Sequence, residues 1–298
     1  MMPTINSFQA TLLFDAKAIL GEGPVWDFKK QLLYWVDIEN GKLHCHNTMN
    51  GENKEWCFGE MLGAAVPTES GKMLLALESG LATYDFEKDT LTRHPVLENG
   101  EPRMRYNDGK VDPNGNFWIG SMHKEFVAKS GNLYCVTHDF KSTIEISETT
   151  ISNGMAWASD QRKFYYIDSP TFEVLVFDFD RVNGSISNRK CAFKIPESNG
   201  TPDGMCIDGE DMLWIAHWGG GCVRRWNPNN GEILEEISIS APQVTSCCFG
   251  GEHLNTLYIT TARSGMTEEQ LAEFPLSGGL FQYHPQVKGV SIDYFKDH

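Results

Sequence analysis

The sequence predicts an all-β protein that folds as a six-bladed β-propeller with four antiparallel strands per blade. A residue pair that usually ends in glycine recurs every 40 to 50 residues along the chain. A run of aromatic and branched residues follows each copy, and Asn-Gly pairs that suit tight β-hairpin turns separate several of the runs. Four-stranded units at this interval are typical of propeller blades.

Each repeat is predicted to start with an inner strand that lines a central tunnel. The residue before the glycine, here called the slot, is filled in chain order by Glu22, Leu62, Asp108, Asn153, Asp203 and, without the glycine, Cys247. The second strands follow as LLYWVD, MLLAL, FWIGS, FYYID, LWIAH and LYITT, and weaker third and fourth runs complete each sheet. A β-sandwich also contains many short strands, but it does not predict the same order of runs six times.

The segment from Phe8 to Phe14 lies before the first inner strand. We expect it to pair with the last blade near VSIDYF, so that the ring closes without an exposed edge strand. One ring then uses nearly the whole chain, and residues 1–298 are predicted to form one domain.

The composition limits the classes of partner. The chain has 25 basic and 40 acidic residues, and this balance disfavours nucleic acid and anionic membranes while it attracts cations. No signal peptide or membrane-spanning run is visible, and the eight cysteines lack CxxC spacing, as expected for reduced thiols in a cytoplasmic protein. The oligomeric state stays open.

Three slot residues carry oxygen atoms, and slots at equivalent points of a ring face one height of the tunnel. Glu22, Asn153 and Asp203 therefore predict a site for one divalent metal ion. Calcium is the first expectation, and zinc, manganese, magnesium and iron(II) are the alternatives. Each residue taken alone fits an ordinary turn before glycine, and the shared slot favours the metal.

The third slot holds the neighbours Asn107 and Asp108. Because strand residues alternate in direction, only one of them is expected to face the tunnel, and the sequence does not decide which. Arg105 lies two residues before Asn107 and so on the same side of a regular strand. Its guanidinium is a candidate to hold hydroxyls or an anionic group near the metal.

Five segments, LGEGPVWD, RYNDGKVDPNGNFWIGSM, SNGMAW, PDGMCID and TSCCFGG, resemble in order the regucalcin (senescence marker protein)/gluconolactonase family. The resemblance runs from about Leu20 to Tyr294. It implies a six-bladed propeller with one divalent metal in the tunnel. It also implies an enzyme that hydrolyses sugar-acid lactones, which are then its small-molecule partners.

The resemblance also implies roles for single residues. The metal ligands of the family match Glu22, Asn153 and Asp203, and the residues that bind substrate oxygens match Arg105, Asn107 and Glu125. The match of Glu125 depends on a loop, residues 122–131, that is shorter than in animal members of the family. The shorter loop affects the shape of the substrate pocket rather than the metal ligands.

The function predicted from the residues and the resemblance is a metal-dependent, gluconolactonase-like lactonase of carbohydrate catabolism. Asp203 is the expected catalytic base, since a carboxylate that touches the metal also lies close to an attacking water. One alternative is a calcium-binding regulatory propeller, and another is a related aryl-ester or organophosphate hydrolase. The chain has no GxSxG motif of a serine hydrolase.

Three histidines have weaker hypotheses attached. His217 is a minor candidate for a proton shuttle, against a role in packing or hydrogen bonding. His44 and His46 share one face of a predicted third strand, and we expect that face to be solvated rather than to bind metal.

Overall fold

The computed structural model describes residues 6–94 and 101–298, and its strands form six sheets. Two short strands precede the repeats, β1 (Asn6–Gln9) and β2 (Thr11–Phe14). The first sheet contains β3 (Gly21–Asp27), β4 (Leu32–Asp37), β5 (Lys42–Asn47) and β6 (Asn53–Cys57). The second contains β7 (Leu62–Pro67), β8 (Met73–Leu77), β9 (Gly80–Asp85) and β10 (Thr90–Arg93). The third contains β11 (Met104–Val111), β12 (Phe117–His123), β13 (Gly131–Val136) and β14 (Ser142–Thr149).

The fourth and fifth sheets contain β15 (Ser152–Trp157), β16 (Lys163–Asp168), β17 (Glu173–Phe179) and β18 (Ile186–Lys194); and β19 (Thr201–Ile207), β20 (Leu213–Trp218), β21 (Cys222–Asn227) and β22 (Glu232–Ser238). The sixth contains β23 (Val244–Gly250), β24 (Thr256–Thr261) and β25 (Leu280–Tyr283), with the helix α1 (Glu268–Glu273) between its last two strands.

The first strand of each sheet contacts the first strands of the two neighbouring sheets, and the sixth contacts the first. These six inner strands (β3, β7, β11, β15, β19 and β23) therefore form a closed ring, and the predicted six-bladed propeller with four antiparallel strands per blade is confirmed. Clusters of buried aliphatic and aromatic side chains fill the spaces between adjacent blades. This burial of apolar surface is the main force that holds the blades together.

Every inner strand has an irregular register at the slot. In β15 the irregularity falls between Asn153 and Met155, and a Cβ added to Gly154 would lie 2.7 Å from the Asp203 main-chain oxygen. Adjacent inner strands thus approach too closely for a side chain at this point. Packing between blades likewise requires glycine at Gly63 and Gly204, whereas Gly23 has room for a side chain and a positive φ of 49°. The bulge turns the slot residue relative to a regular strand.

The sixth slot was assigned to the wrong residue from the sequence. The irregularity of β23 lies between Val244 and Ser246, so Thr245 stands where other blades have glycine, and Cys247 lies beyond the slot. The Thr245 hydroxyl donates to the main-chain oxygen of Gly21 at 2.5 Å, across the junction with the first blade. A hydrogen bond between blades here accompanies the loss of the glycine.

The prediction that the N-terminal segment pairs with the last blade is confirmed, but the expected partner was wrong. The strand β2 pairs antiparallel with β25, where Leu12 lies opposite Phe281, and not with the segment VSIDYF. The strand β1 pairs parallel with β22 as a fifth strand of the fifth blade. The N-terminal segment therefore joins two neighbouring blades at their outer edges.

The C-terminal segment, residues 288–297, instead crosses one end of the ring. Main-chain hydrogen bonds tie it to Gly209 in the fifth blade, Leu254 in the sixth, Pro67 in the second and Gly115 in the third. The Tyr294 hydroxyl donates to Asp27 of the first blade at 2.8 Å. This segment, here called the strap, spans the face of the ring opposite the slots.

Within the described residues, no helix has the length and apolar character needed to cross a bilayer. All eight cysteines are free thiols, as predicted, and six of them are buried.

Candidate functional site

The structure brings the three predicted ligands to one level of the ring. Glu22, Asn153 and Asp203 lie at the beginnings of β3, β15 and β19, and each is no more than 7% exposed. The Gly23 amide donates to Glu22 Oε2 at 2.8 Å, which orients that carboxylate. Three oxygen-bearing side chains therefore converge inside the ring, away from bulk water.

The amide of Asn153 is held in one orientation. Its Nδ2 atom donates to the hydroxyl of Ser169, on the loop after β16, at 3.0 Å. Its Oδ1 atom is buried and has no hydrogen-bond partner among residues 6–94 and 101–298. A buried carbonyl oxygen without a partner is costly unless a further group satisfies it.

The carboxylates of the site perturb one another. Burial, and then the nearby Asp108, raise the pKa of Glu22 to about 8. Burial also raises the pKa of Asp203 well above its usual value, with further contributions from Glu22 and Asp108. Three buried acids that influence one another disfavour simultaneous ionisation unless a cation neutralises them.

Asn107 and Asp108 both lie in the irregular stretch of β11, between Tyr106 and Gly109. The Asn107 amide donates to the main-chain oxygen of Ser152 in the next blade at 2.9 Å. Asp108 instead borders a cavity on the strap side of the slots, and its Oδ2 has no hydrogen-bond partner in the part of the chain that the structure describes. Period-two alternation does not hold at this bulge, where Asn107 contacts the next blade and Asp108 faces the cavity.

Arg105 is positioned by its own strand. Its Nη1 atom donates to Asn107 Oδ1 at 2.8 Å and to the main-chain oxygen of Tyr106 at 2.9 Å. Loss of water lowers the pKa of Arg105 to about 10, and the neighbouring Glu22 and Asp203 oppose that shift. The guanidinium therefore stays charged beside the acids, and its remaining donors are available to a ligand.

Glu125 lies on an exposed turn two residues after β12 ends at His123. His123 pairs with Met104 at the start of β11, so this turn is at the same end of the third blade as Arg105. The main-chain amide of Glu125 donates to His123 Nδ1 at 3.1 Å. Within the described parts of the chain, its carboxylate makes no hydrogen bond to the other candidate residues, and its substrate role stays a prediction.

The residues present fit a hard divalent cation. The Asn153 Oδ1 atom is a neutral oxygen donor, and the buried carboxylates of Glu22 and Asp203 supply negative charge beside it. Oxygen donors of this kind suit calcium, magnesium or manganese. The donor set contains no sulfur and no imidazole.

The histidine hypotheses have different outcomes. His217 is fully buried, accepts a hydrogen bond from Trp226 Nε1 at 3.3 Å, and has its pKa lowered to about 3 by burial, so packing describes it better than a proton shuttle. The expected solvated face for His44 and His46 was wrong, since both rings are buried. His44 stacks on Trp35 at 4.9 Å, which explains its burial.

A cavity of about 150 Å³ lies between the slots and the strap. It is lined by the later residues of the inner strands, such as Val25 and Trp157, and by Ile292 and Asp293 of the strap. This cavity, here called the lower cavity, does not include Glu22, Asn153 or Asp203. The candidate site therefore faces the opposite end of the ring.

Two residues at the site were not found from the sequence. Ser169 orients Asn153, and Lys110 reaches across the ring to the main-chain oxygen of Met205. Lys110 lies in the segment RYNDGKVDPNG, but no role was assigned to it there. Lys110 acts through a contact between distant parts of the chain, and Ser169 acts through Asn153, 16 residues before it. The position of Lys110 two residues after Asp108 was the only local signal.

The fold and this level of buried oxygen atoms define the protein as a six-bladed propeller with a site inside its ring. The chain belongs to the SMP-30/gluconolactonase/LRE-like family, whose conserved region matches residues 20–263. The resemblance seen in the sequence is thereby confirmed.

Relatives match over nearly their full lengths. Regucalcin of Danio rerio is 36% identical over 290 residues, with 97% of each chain covered. A putative sugar lactone lactonase, YvrE, of Bacillus subtilis is 35% identical over 280 residues, covering 94% of this chain and 96% of the relative. The crystal structure of a calcium-binding protein, regucalcin, from Agrobacterium tumefaciens superposes with a TM-score of 0.94 at 26% identity, covering 99% and 100% of the two chains.

Proposed function

We propose that this protein is a metal-dependent hydrolase that opens sugar-acid (aldono) lactones in carbohydrate catabolism, in the cytoplasm. The observation that carries the proposal is the unpartnered Asn153 Oδ1 at the level of the buried carboxylates of Glu22 and Asp203. The Bacillus subtilis relative, a putative sugar lactone lactonase, supports the choice of substrate class.

Glu22, Asn153 and Asp203 would hold one divalent cation, with calcium as the first choice. The similar Agrobacterium tumefaciens structure is that of a calcium-binding protein, which supports that choice. When bound, the cation would polarise the lactone carbonyl and orient or acidify a water molecule. Asn153 serves as a neutral ligand only, because an amide oxygen cannot accept a proton at ordinary pH.

Asp203 is the proposed general base. It would accept a proton from the attacking water as the new carbon–oxygen bond forms and the ring carbon–oxygen bond breaks; the alkoxide released then takes up a proton to give the open hydroxy acid. Arg105 favours the ionised form of Asp203, and the nearby acids oppose it. Burial and the nearby acids outweigh Arg105, so the pKa of Asp203 is raised and the carboxylate is a stronger base than an exposed one.

Arg105 is proposed to hold the hydroxyl or carbonyl oxygens of the lactone. The side-chain oxygen of Asn107 accepts a 2.8 Å hydrogen bond from the Arg105 guanidinium and fixes its position, so the Arg105 side chain loses little conformational freedom when the substrate binds. Glu125, on its exposed turn at the same end of the blade, would accept hydrogen bonds from sugar hydroxyls. These residues select and orient the substrate and transfer no proton.

A pH-stat assay of the purified protein over a panel of aldonolactones, with one aryl ester, tests the proposal. We expect hydrolysis that a chelator abolishes and added divalent metal restores, and a loss of at least about 100-fold in Asp203→Ala. Asp160→Ala, at an exposed acid on a turn, is the matched control and should keep full activity.

Persistent lactone hydrolysis in both Asp203→Ala and the chelated protein would rule out the proposed mechanism. Hydrolysis of the aryl ester alone would move the protein to the ester hydrolase alternative. Metal binding without any hydrolysis would instead identify a calcium-binding regulatory propeller.

A further inference from the structure

Lys110 reaches across the inside of the ring, beneath the slot residues. It lies on β11 of the third blade, and its ammonium donates a hydrogen bond to the main-chain oxygen of Met205 on β19 of the fifth blade. The inner strand of the fourth blade lies between these two, and its Met155 borders the same lower cavity. The side chain is partly buried and lies where the candidate site meets that cavity.

The ammonium acts on the acids of the site through space. Burial raises the pKa of Asp108, and Lys110 is the main group that opposes this shift. Its hydrogen bond goes to Met205 rather than to a carboxylate, and Asp108 Oδ2 stays without a hydrogen-bond partner. Lys110 thus contributes positive charge without capping the carboxylates.

The charges of the site explain why that matters. Glu22, Asp108 and Asp203 carry three negative charges when ionised, and Arg105 and Lys110 carry two positive charges. A divalent cation at the slot level meets both the attraction of the acids and the repulsion of the ammonium, in surroundings where water screens charge poorly. Asp108 borders the lower cavity of about 150 Å³ together with Lys110. Without the positive charge of Lys110, the negative charge of Asp108 could attract a cation into that cavity.

We propose that Lys110 is a built-in counter-ion that limits the affinity of the site for divalent metal and keeps a second cation out of the lower cavity beside Asp108. The inference rests on the proposed function only in that a divalent cation binds at Glu22, Asn153 and Asp203. It assigns Lys110 the role of a positioning residue that acts on the metal through charge and touches neither metal nor substrate.

A purely mechanical role is the competing explanation, since the hydrogen bond to Met205 also ties the third blade to the fifth. Three substitutions separate the two. Lys110→Arg keeps the charge, Lys110→Gln keeps a hydrogen-bond donor without the charge, and Lys110→Met keeps neither. If the charge matters, Lys110→Gln should bind metal like Lys110→Met. If the hydrogen bond matters, Lys110→Gln should bind metal like Lys110→Arg.

The test is isothermal titration of chelator-treated protein with calcium and, separately, with manganese. We expect one equivalent bound by the wild-type protein and by Lys110→Arg. Lys110→Met and Lys110→Gln should bind the first equivalent at least about tenfold more tightly, or bind a second one. Asp108→Asn combined with Lys110→Met should return the protein to one equivalent with nearly wild-type affinity.

Unchanged affinity and stoichiometry in both neutral variants would overturn the inference, and so would a change that follows the hydrogen bond rather than the charge. If Lys110→Met does not fold, Lys110→Gln and Lys110→Arg still give opposite expectations. Wild-type metal binding without lactone hydrolysis contradicts the proposed function and leaves this inference in place. A wild-type protein that binds no divalent metal contradicts both.

Discussion

The side-chain amide of Asn153 donates to the hydroxyl of Ser169 over 3.0 Å, and this hydrogen bond decides which amide atom is left for a ligand. Ser169 is buried at the start of a short 3-10 helix, Ser169–Thr171, that follows β16. Because the nitrogen is engaged there, the oxygen is the free atom of the amide. Ser169 therefore supports the candidate metal site through Asn153.

Replacing Ser169 by alanine should weaken metal binding without unfolding the protein. Residues that orient a metal ligand typically contribute 10- to 100-fold to affinity, and we expect a loss in that range for Ser169→Ala by calorimetric titration. Thr171→Ala, an exposed position of the same short helix, should bind metal like the wild type. Equal affinities for the two variants would show that the Asn153 amide needs no orientation.

Replacing Arg105 by lysine should separate substrate binding from metal binding. The variant loses the hydrogen bond to Asn107 and the planar set of donors, so kcat/KM for the preferred lactone should fall roughly 10- to 100-fold. The dissociation constant for metal should change much less. Steady-state kinetics and metal titration check the two expectations, with the exposed Arg103→Lys as the control.

If Arg105→Lys instead lost metal and kept its KM for the lactone, the proposed division of roles between Arg105 and the ligands would be wrong.

The strap contains an acid whose ionisation opposes folding. Burial, and then the nearby Asp112, raise the pKa of Asp293 from 3.8 to about 6, against the opposing charges of Arg181 and Lys296. The folded protein holds this proton more tightly than the unfolded chain. The resulting contribution to stability is complete below about pH 4 and is lost as the pH rises through 6.

Asp293→Asn should therefore be more stable than the wild type above pH 7, by about 1–2 kcal/mol, and equally stable near pH 4. Urea unfolding at several pH values measures the difference. Asp297→Asn is the control. Hydrogen bonds from Ser70 help to lower the pKa of Asp297 despite its partial burial, so loss of this carboxylate should destabilise the protein at neutral pH. A pH-independent difference for Asp293→Asn would contradict the assignment.

Phe295 is expected to anchor the strap. Its side chain is fully buried among the apolar residues between the second and third blades, next to Phe140 at 5.6 Å. Phe295→Ala should cost about 3–5 kcal/mol in the free energy of unfolding, measured with denaturant. The exposed Phe126→Ala should stay within about 0.5 kcal/mol of the wild type. A similar small loss at both positions would mean that the strap contributes little.

Repetition made the fold predictable, because six copies of one strand pattern leave few architectures. The prediction from the repeat was wrong at the sixth blade, where a hydrogen bond between blades takes the place of the slot glycine. Thr245 takes the place of the sixth glycine and bonds to Gly21, and nothing in the neighbouring sequence marks that exchange. The partner of the N-terminal strand was missed for a related reason, since pairing between chain ends depends on where the ring closes.

The candidate site was predictable as a set of positions and less so as a geometry. Glu22, Asn153 and Asp203 come together at one level as the slot predicts, and their roles as ligands and base stay predictions. The choice between Asn107 and Asp108 could not be made, because period-two alternation does not hold at a bulge. Lys110 escaped notice because its partner Met205 is 95 residues away.

The two N-terminal strands have a consequence for aggregation. The strand β1 forms the outer edge of the fifth blade, and β2 forms the outer edge of the sixth. An outermost strand presents a row of unpaired amides and carbonyls with which another chain can pair. In two adjacent blades these rows belong to the same nine residues, Asn6 to Phe14, so changes in this short segment alter both edges at once.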